Sequence, residues 1–308
     1  QGATQTPAVS RTLIRITIRG WMKPINFSRR KPKILLAFVV LGLAIFLFVL
    51  QGYTAINYSD PNDPSYSGTF AVENPTPVET LTVLSYNIWF GDNIDVALSE
   101  LQEIKSQREL DIILLQEMDE IGTEQIAREL EMNYVYFPAA IEPTYDENFG
   151  NAVLSRWPIT NSQKLILPHK SFSNRMNRIA TRATISLSGS EILVYSLHAE
   201  SVFTLPRYKQ DQYNAVLADI GSDANLVIVG GDFNSFTETA VKALEEDFWQ
   251  AGFVRASEGS GSSVMKYGIE VYSDHIFTKG FVVEEAGKMT EATASDHLPI
   301  WVTLIPKE

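Results

Sequence analysis

The stretch LVIVGGDFNS, residues 226–235, joins four apolar residues to two glycines and a group of polar side chains. Four apolar residues in succession, followed by turn residues, predict a buried strand. Gly230 and Gly231 end this run, and Asp232 and Asn234 follow two residues apart, on one side of an extended backbone. Gly, Asp and Asn are also ordinary turn residues, so the stretch alone permits either a simple turn or a polar site at a strand end.

Similar short apolar runs recur through residues 81–306, with a few amphipathic stretches between them. One of these stretches has apolar side chains at helical spacing, at Ile94, Leu98, Leu101 and Ile104. Many short strands with few helices predict an α/β (α+β) fold in which two sheets pack face to face, with helices outside. A parallel, doubly wound sheet is the alternative, but it needs a helix after nearly every strand.

Charge is distributed unevenly along the 308 residues, whose formal net charge is −12. Eight of the 25 basic residues precede Asp60, whereas all 37 acidic residues lie from Asp60 onward. This division predicts two regions that face different surroundings. Cysteine is absent, which excludes disulfides, a thiolate nucleophile and a zinc–cysteine site.

A run of 17 apolar residues, Ile34–Leu50, follows the basic region. At ~1.5 Å per residue, a helix of this length is about the shortest that crosses a ~30 Å hydrocarbon core. The basic flank predicts a single-pass membrane protein with a cytoplasmic amino terminus and its remaining residues on the exported (periplasmic or extracellular) side. A signal peptide, whose cleavage leaves a secreted protein, and a buried core helix are the alternatives.

The sequence thus predicts four segments. Residues 51–80 are rich in Pro, Asn, Ser, Asp and Thr without any periodicity, and they predict an extended linker. Residues 1–21 precede Met22, and we interpret them as an upstream extension of the chain. The order is a basic cytoplasmic segment at 1–33, a transmembrane helix at 34–50, the linker at 51–80 and a folded domain at 81–306.

Polar side chains interrupt the apolar runs of this domain at the ends of several predicted strands. Any one of them is typical of a turn or a cap. Together they include three of the four histidines of the chain, which turns alone do not explain. These residues are Asn87, Glu117, His198, Asp232, Asn234, Asp274, His275, Asp296 and His297.

Carboxylates, amides and imidazoles without thiols favour a hard divalent cation, magnesium above all, with manganese or calcium as alternatives. Glu117 has no lysine near it in sequence and is the natural first ligand. A neutral histidine beside an aspartate is the unit from which a general base is built. A divalent cation, a general base and amide donors together predict attack of water on a phosphorus ester.

These residues lie in the motifs SYNI, LLQE, GNAVLSRWPI, SLHAES, GGDFNS, SDHIF and SDHLPI. In this order, over residues 81–304, they resemble the endonuclease/exonuclease/phosphatase superfamily, which includes deoxyribonuclease I, abasic-site endonucleases, neutral sphingomyelinases and inositol-polyphosphate 5-phosphatases. The resemblance implies a four-layer α/β sandwich with two central, mainly antiparallel sheets. It also implies that Glu117 is the main metal ligand, that Asn87 lies near metal and phosphate, and that Asp296 is a further carboxylate of the metal site.

The resemblance assigns catalytic roles in the same way. His297 resembles the base that activates water, and Asp274 resembles the carboxylate that orients it. Asp232, Asn234 and His198 resemble the groups that position the nucleophile and stabilise the phosphoryl oxygens. His275, beside Asp274, is interpreted as structural.

One motif departs from the family pattern. Many members have a basic residue shortly before the aspartate of SDHIF, whereas this chain has Glu270 and Tyr272. No acidic residue lies between Glu147 and Glu191, a segment with six basic residues. Within it, Lys170, Arg175 and Arg178 are predicted to bind the substrate phosphate, although a solvated basic face is an equal alternative.

We therefore predict a metal-dependent phosphodiester hydrolase, tethered to a membrane, that acts on nucleic acid or on a phospholipid head group. A strongly acidic domain attracts polyanions weakly, which disfavours a tight duplex binder. A catalytically inactive binding module of the same fold and a calcium-binding β-sandwich adhesin are the alternatives. The sequence indicates no obligate protein partner.

Overall fold

A computed structural model describes residues 31–52, 54–72, 79–187, 189–201, 204–266 and 268–307. The chain divides into two compact units, Gln1–Val49 and Leu50–Glu308. The α-helices that the described residues form are α1 (Lys31–Gly52), α2 (Ile94–Gln107), α3 (Glu120–Glu129), α4 (Pro206–Ile220) and α5 (Glu238–Gln250).

Short strands make up most of the second unit. In chain order the described residues form β1 (Ile56–Asn57), β2 (Tyr66–Gly68), β3 (Leu81–Asn87), β4 (Ile112–Met118), β5 (Asn133–Glu142), β6 (Glu147–Ser155), β7 (Ile159–Lys170) and β8 (Asn177–Leu187). They continue with β9 (Ser190–His198), β10 (Val227–Asp232), β11 (Val254–Arg255), β12 (Val264–Lys266), β13 (Ile269–Val271), β14 (Asp274–Lys279), β15 (Phe281–Lys288) and β16 (Ile300–Pro306).

Helix α1 covers the apolar run that predicts a membrane-spanning segment at 34–50. From Leu36 to Leu47 its side chains are exposed, and that of Phe38 is 68% accessible. Among the residues that the structure describes, no helix has the length and the apolar character needed to span a membrane. The transmembrane helix therefore stays a prediction, and residues 1–30 of the basic segment lie outside the described residues.

Two sheets form the centre of the second unit. Among the described strands, one sheet has the order β1–β5–β6–β4–β3–β16–β15, with β2 also paired to β5. The other has the order β11–β14–β10–β9–β8–β7. Only β3 with β4 and β9 with β10 pair in parallel among these strands. The prediction of two mainly antiparallel sheets is confirmed.

Alternating side chains of the strands create the layers. Val83 and Leu114 lie in the core between the two sheets, whereas their neighbours Leu84 and Leu115 pack with α2 and α3 on the outer face. Helices α4 and α5 cover the outer face of the second sheet. Because side chains alternate along a strand, each sheet buries both faces, and the result is the predicted four-layer sandwich.

The predicted linker at 51–80 contributes two short strands to the folded unit. Ile56–Asn57 and Tyr66–Gly68 both pair with β5 and extend the first sheet. The buried Lys164 also donates hydrogen bonds to the carbonyl oxygens of Asp63, at 2.9 Å, and Pro138, at 3.1 Å. Strand pairing uses main-chain groups, so a polar composition without periodicity does not reveal it. Residues 73–78 lie outside the described residues.

Strand register brings the polar strand ends together. In the second sheet Asp232 is paired with His198 on one side and with Asp274 on the other. In the first sheet Asn87 is paired with Gln116, directly before Glu117. Strand ends of both sheets therefore meet at the same edge of the sandwich.

Glu100 of α2 anchors the loop that leads to His297. Its carboxylate accepts hydrogen bonds from the main-chain N–H groups of Thr293 and Ala294 and from the hydroxyl of Tyr86, which lies 2.7 Å away. Glu100 is 7% exposed, so its loss leaves buried donors without an acceptor.

We expect Glu100→Ala to lower the free energy of unfolding by about 2–4 kcal/mol, because buried donors then lose their acceptor. Urea denaturation measures this change. Glu103→Ala, at an exposed position of the same helix, is the matched control and should change stability by less than about 0.5 kcal/mol. Equal losses in the two variants would contradict an anchoring role for Glu100.

Candidate active site

Glu117 reaches the site through a β-bulge. Strand β4 pairs with β6 at Gln116 and at Met118, and the register shifts between them, so that Glu117 is the extra residue. Its φ of 59° lies in the left-handed region, which is uncommon for a residue other than glycine. A bulge re-aims a side chain, and here Glu117 accepts hydrogen bonds from Asn87 Nδ2 at 3.1 Å and from the N–H of Phe90 at 3.3 Å.

The two glycines of the opening stretch permit close packing around Asp232. A Cβ added at Gly231 would lie 1.9 Å from the carbonyl oxygen of Leu197 on the neighbouring strand. One added at Gly230 would lie 2.5 Å from Leu114 Cδ1 of the facing sheet. Glycine is required here because both strand-to-strand and sheet-to-sheet distances leave no room for a side chain.

Asp232 lies at the centre of the cluster. Its Oδ1 accepts hydrogen bonds from the main-chain N–H of Asn234 at 2.8 Å and from Ser273 Oγ at 2.7 Å. Its Oδ2 lies 3.2 Å from Asn87 Nδ2 and 3.7 Å from His198 Nε2. Asp232 therefore joins the groups from the two sheets.

His297 and Asp274 form a hydrogen-bonded pair. His297 Nδ1 lies 2.7 Å from Asp274 Oδ2, which also accepts a hydrogen bond from Ser263 Oγ at 2.6 Å. The opposite ring nitrogen, Nε2, lies 3.9 Å from Asp232 Oδ2 and 3.8 Å from Asp296 Oδ1. The carboxylate thus fixes the ring so that Nε2 faces the cluster, as a general base requires.

His198 faces the same cluster from β9. Its Nε2 lies 3.7 Å from Glu117 Oε1 and 3.3 Å from Arg178 Nη1. Burial and the adjacent Arg178 lower the pKa of His198 well below its usual value, so the ring is neutral. Nδ1 is buried and has no hydrogen-bond partner among the described residues.

Buried negative charge dominates the electrostatics of the site. Burial raises the pKa of Glu117 and of Asp232, because the charged carboxylates lose solvation. Burial alone would lower the pKa of His297, but Asp274, Asp232 and Asp296 outweigh it and raise the pKa to about 10. The buried carboxylates therefore favour the binding of a cation.

Two overlapping groups of side chains in the described residues have the spacing of metal ligands. One consists of Glu117, His198 and Asp232, and the other of Asp232, Asp274 and His297; within each group, the ligand atoms lie within 4.8 Å of one another. Buried carboxylate oxygens with raised pKa values fit a hard divalent cation, since its charge offsets their desolvation. Because the second group is the hydrogen-bonded histidine–aspartate pair, the first group, with Glu117, is the better metal site.

The other predicted site residues differ in how they reach the cluster. Asn87 presents its amide nitrogen to Glu117 and Asp232, while its oxygen accepts the N–H of Trp89 at 3.1 Å. In this arrangement Asn87 is a hydrogen-bond donor rather than an oxygen ligand. Asn234, with φ of 52°, donates from Nδ2 to Asp232 Oδ2 and to the carbonyl of Ala199, both at 3.1 Å.

The three cations predicted to bind substrate are separated by the fold. Arg178 lies on β8, is 8% exposed and contacts His198. Lys170 and Arg175 lie at the exposed end of the β7–β8 hairpin, and no contact among the described residues joins their side chains to the cluster. His275 is buried and bonded to Ser235 Oγ at 2.7 Å, in keeping with the structural role expected of it.

Several residues that hold the site in place were not predicted from the sequence. Ser263 and Ser273 hold the carboxylates of Asp274 and Asp232, and Lys209 of α4 donates to the carbonyl oxygen of Asn234 at 2.8 Å. Ser273 directly precedes Asp274 in the SDH motif, which was a usable signal. The sequence contains no comparable signal for Lys209, because only the packing of α4 shows which residues of this helix face the site.

A hydrogen-bonded histidine–aspartate pair lies beside buried carboxylates at the edge of a double-sheet sandwich. The sequence profile of the Endonuclease/Exonuclease/phosphatase family matches residues 84–297. The chain belongs to this family. An unrelated calcium-binding adhesin fold is thereby excluded.

Part of the chain is also similar to curated proteins. A UPF0294 protein of Vibrio vulnificus (strain YJ016) is 30% identical over 115 residues, which cover 37% of this chain and 40% of that protein. The chain thus spans about two fifths of the length of this curated relative.

Solved structures share the fold at lower identity. D. rerio TDP2 complexed with a single-strand DNA product is 16% identical, with a TM-score of 0.60 over 74% of this chain and 99% of that chain. A mannosyl-6-phosphatase of Bacteroides thetaiotaomicron VPI-5482 is 19% identical, with a TM-score of 0.57 over 73% of this chain and 99% of that chain. The TM-scores show a similar fold, and at these identities the likeness shows the fold alone.

Proposed function

We propose that this protein is a phosphodiester hydrolase that depends on a divalent cation, magnesium first, and uses His297 as the base that activates water. The observation that carries the proposal is the 2.7 Å contact between His297 Nδ1 and Asp274 Oδ2, with Nε2 turned towards Asp232 and Asp296. A ring held in this way by a carboxylate has one nitrogen available for a proton.

In the proposed reaction, His297 Nε2 takes a proton from the attacking water, and Asp274 stabilises the imidazolium that forms. We assign Asn234 and Arg178, which line the same cluster, to the phosphoryl oxygens, and His198 to orienting Arg178 through Nε2. Glu117 and Asp232, with Asp296 nearby, would hold the cation, which supplies charge neutralisation and polarises the phosphoryl group.

The proposed substrates are nucleic acid and phospholipid head groups. TDP2, which shares the fold, is complexed with a single-strand DNA product, and the Bacteroides neighbour is a mannosyl-6-phosphatase, so this fold accommodates different phosphoric esters. The acidic character of the domain, with all 37 acidic residues from Asp60 onward, argues against long-range attraction of duplex DNA.

Hydrolysis of bis-p-nitrophenyl phosphate tests the function. We expect turnover with Mg²⁺ and none after chelation, and a parallel assay of duplex DNA, single-strand DNA, sphingomyelin and phosphoinositides identifies the substrate class. An inactive binding module of the same fold would bind such ligands without turnover under any divalent cation. That result would overturn the proposal.

We also propose that the amino-terminal region anchors the protein to a membrane, with the catalytic domain on the exported side. The support is the basic residues before Ile34 and the apolar, exposed side chains from Leu36 to Leu47 of α1. In intact membranes we expect the domain to be cut by protease only from the exported side. Cutting from the cytoplasmic side would contradict the orientation, and a soluble form beginning near Ile56 would favour a cleaved signal peptide.

A further inference from the structure

A buried acidic side chain, Glu200, lies two residues beyond His198 and has no part in the proposed reaction. It is 1% exposed, and its Oε2 lies 3.4 Å from Arg178 Nε. Arg178 in turn reaches His198 Nε2 with Nη1, at 3.3 Å. A buried carboxylate thus holds one guanidinium against a group that faces the metal cluster.

Lys209 is a second cation beside the same cluster. Its Nζ donates a hydrogen bond to the main-chain oxygen of Asn234 at 2.8 Å. Burial lowers the pKa of Lys209, while Asp232 and Glu200 act in the opposite direction. In the part of the chain that the structure describes, no ion pair joins Lys209 to a carboxylate. The ammonium group has three N–H donors, so those that do not bind Asn234 are available to a ligand.

A phosphate ester carries negative charge into a site that already contains four acidic side chains, Glu117, Asp232, Asp274 and Asp296. Cations beside the phosphoryl-binding groups reduce this repulsion. Arg178 and Asn234 are the groups assigned to the phosphoryl oxygens, and Lys209 adjoins Asn234.

The SDHIF motif does not supply a cation in this chain. Glu270 and Tyr272 occupy the positions before Asp274, and Glu270 lies exposed on β13. Lys209 approaches from α4 instead, through the carbonyl of Asn234 in the GGDFNS motif.

We propose that Lys209 is a phosphate-binding residue and that, together with Arg178, it forms the anion-binding side of the site. The proposal rests on the phosphodiesterase function proposed above and specifies how that site holds the phosphoryl group of its substrate. Lys209 replaces, from a different element, the basic contact that the SDHIF motif lacks.

Lys209→Met tests this proposal, because methionine keeps much of the side-chain length without the charge. We expect the affinity of the Mg²⁺-loaded protein for inorganic phosphate, measured by calorimetry, to fall about 10- to 100-fold, the loss expected for one charge-assisted hydrogen bond. KM for bis-p-nitrophenyl phosphate should rise in parallel, with a smaller change in kcat. Lys209→Arg should restore most of the phosphate affinity.

Lys242→Met, at an exposed position of α5, is the matched control and should bind phosphate like the parent. Unchanged phosphate affinity in Lys209→Met, with a lower melting temperature and a lower kcat, would overturn the proposal, since Lys209 would then only brace the main chain of Asn234. If the parent bound phosphate through Lys209 yet hydrolysed no ester, the anion site would stand and the phosphodiesterase function would fail.

Discussion

Replacement of His297 by alanine is expected to lower kcat for a phosphodiester by about 10²–10⁴-fold, the range typical of a lost general base. The reason is geometric: the ring is fixed by Asp274 at 2.7 Å, and its Nε2 faces the cluster. Steady-state hydrolysis of bis-p-nitrophenyl phosphate at saturating Mg²⁺ measures the loss. His169→Ala, which removes a histidine paired with Asp211 on the surface, is the matched control and should keep the parental rate.

The same histidine predicts the pH dependence of the rate. Asp274, Asp232 and Asp296 overcome the effect of burial and raise the pKa of His297 to about 10, and a protonated ring is not a base. The rate should therefore rise with pH as the ring loses its proton. Neutralisation of the facing carboxylates by a divalent cation should shift this rise to lower pH. His297→Ala should flatten the profile, and an unchanged profile would rule His297 out as the base and leave His198 as the next candidate.

The stability of the cation-free protein should fall as the pH rises, whereas the rate should increase. Its folded pKa is raised, so the protonated ring contributes stability that is present below the unfolded pKa of about 6.5 and is lost as the pH rises through about 10. Urea denaturation in the presence of a chelator should show this loss in the parent and not in His297→Ala.

Asp274→Asn should also be severe, because an amide can hold the wrong tautomer and cannot stabilise the imidazolium. The double variant with His297→Ala should be no worse than the more damaging single variant, since the two residues act as one unit. If the two losses multiplied instead, the residues would act independently and the proposed pair would be incorrect.

Glu117→Gln is expected to weaken Mg²⁺ binding by about 100-fold or more, because a carboxamide lacks the charge that offsets dehydration of the ion. Burial raises the pKa of Glu117, so its charged form destabilises the cation-free fold at neutral pH. The chelated variant should consequently be at least as stable as the parent, while the rise in melting temperature on adding Mg²⁺ should largely disappear.

Glu129→Gln, at an exposed position of α3, is the control for the metal experiment and should retain the parental response to Mg²⁺. Calorimetric titration gives the affinity directly. A parental affinity in Glu117→Gln would remove Glu117 from the metal site and leave Asp232 and Asp296 as the carboxylates to test.

Local patterns in the sequence were sufficient for the central architecture. Alternation of side chains such as Val83 and Leu84 places one neighbour between the sheets and the next against helices, which is a property of any strand. The polar strand ends Asp232, Asp274 and His198 were also readable, because they break apolar runs that otherwise continue.

Only the tertiary structure determines which of these side chains come into contact and which residues position them. Glu117 reaches the cluster because a bulge gives it a φ of 59°, and Lys209 reaches Asn234 because of the packing of α4. It also placed residues 56–57 and 66–68, read from the sequence as linker, in the first sheet. Periodicity records burial along one element, whereas strand pairing through main-chain groups and contacts between distant elements depend on partners that the local sequence does not encode.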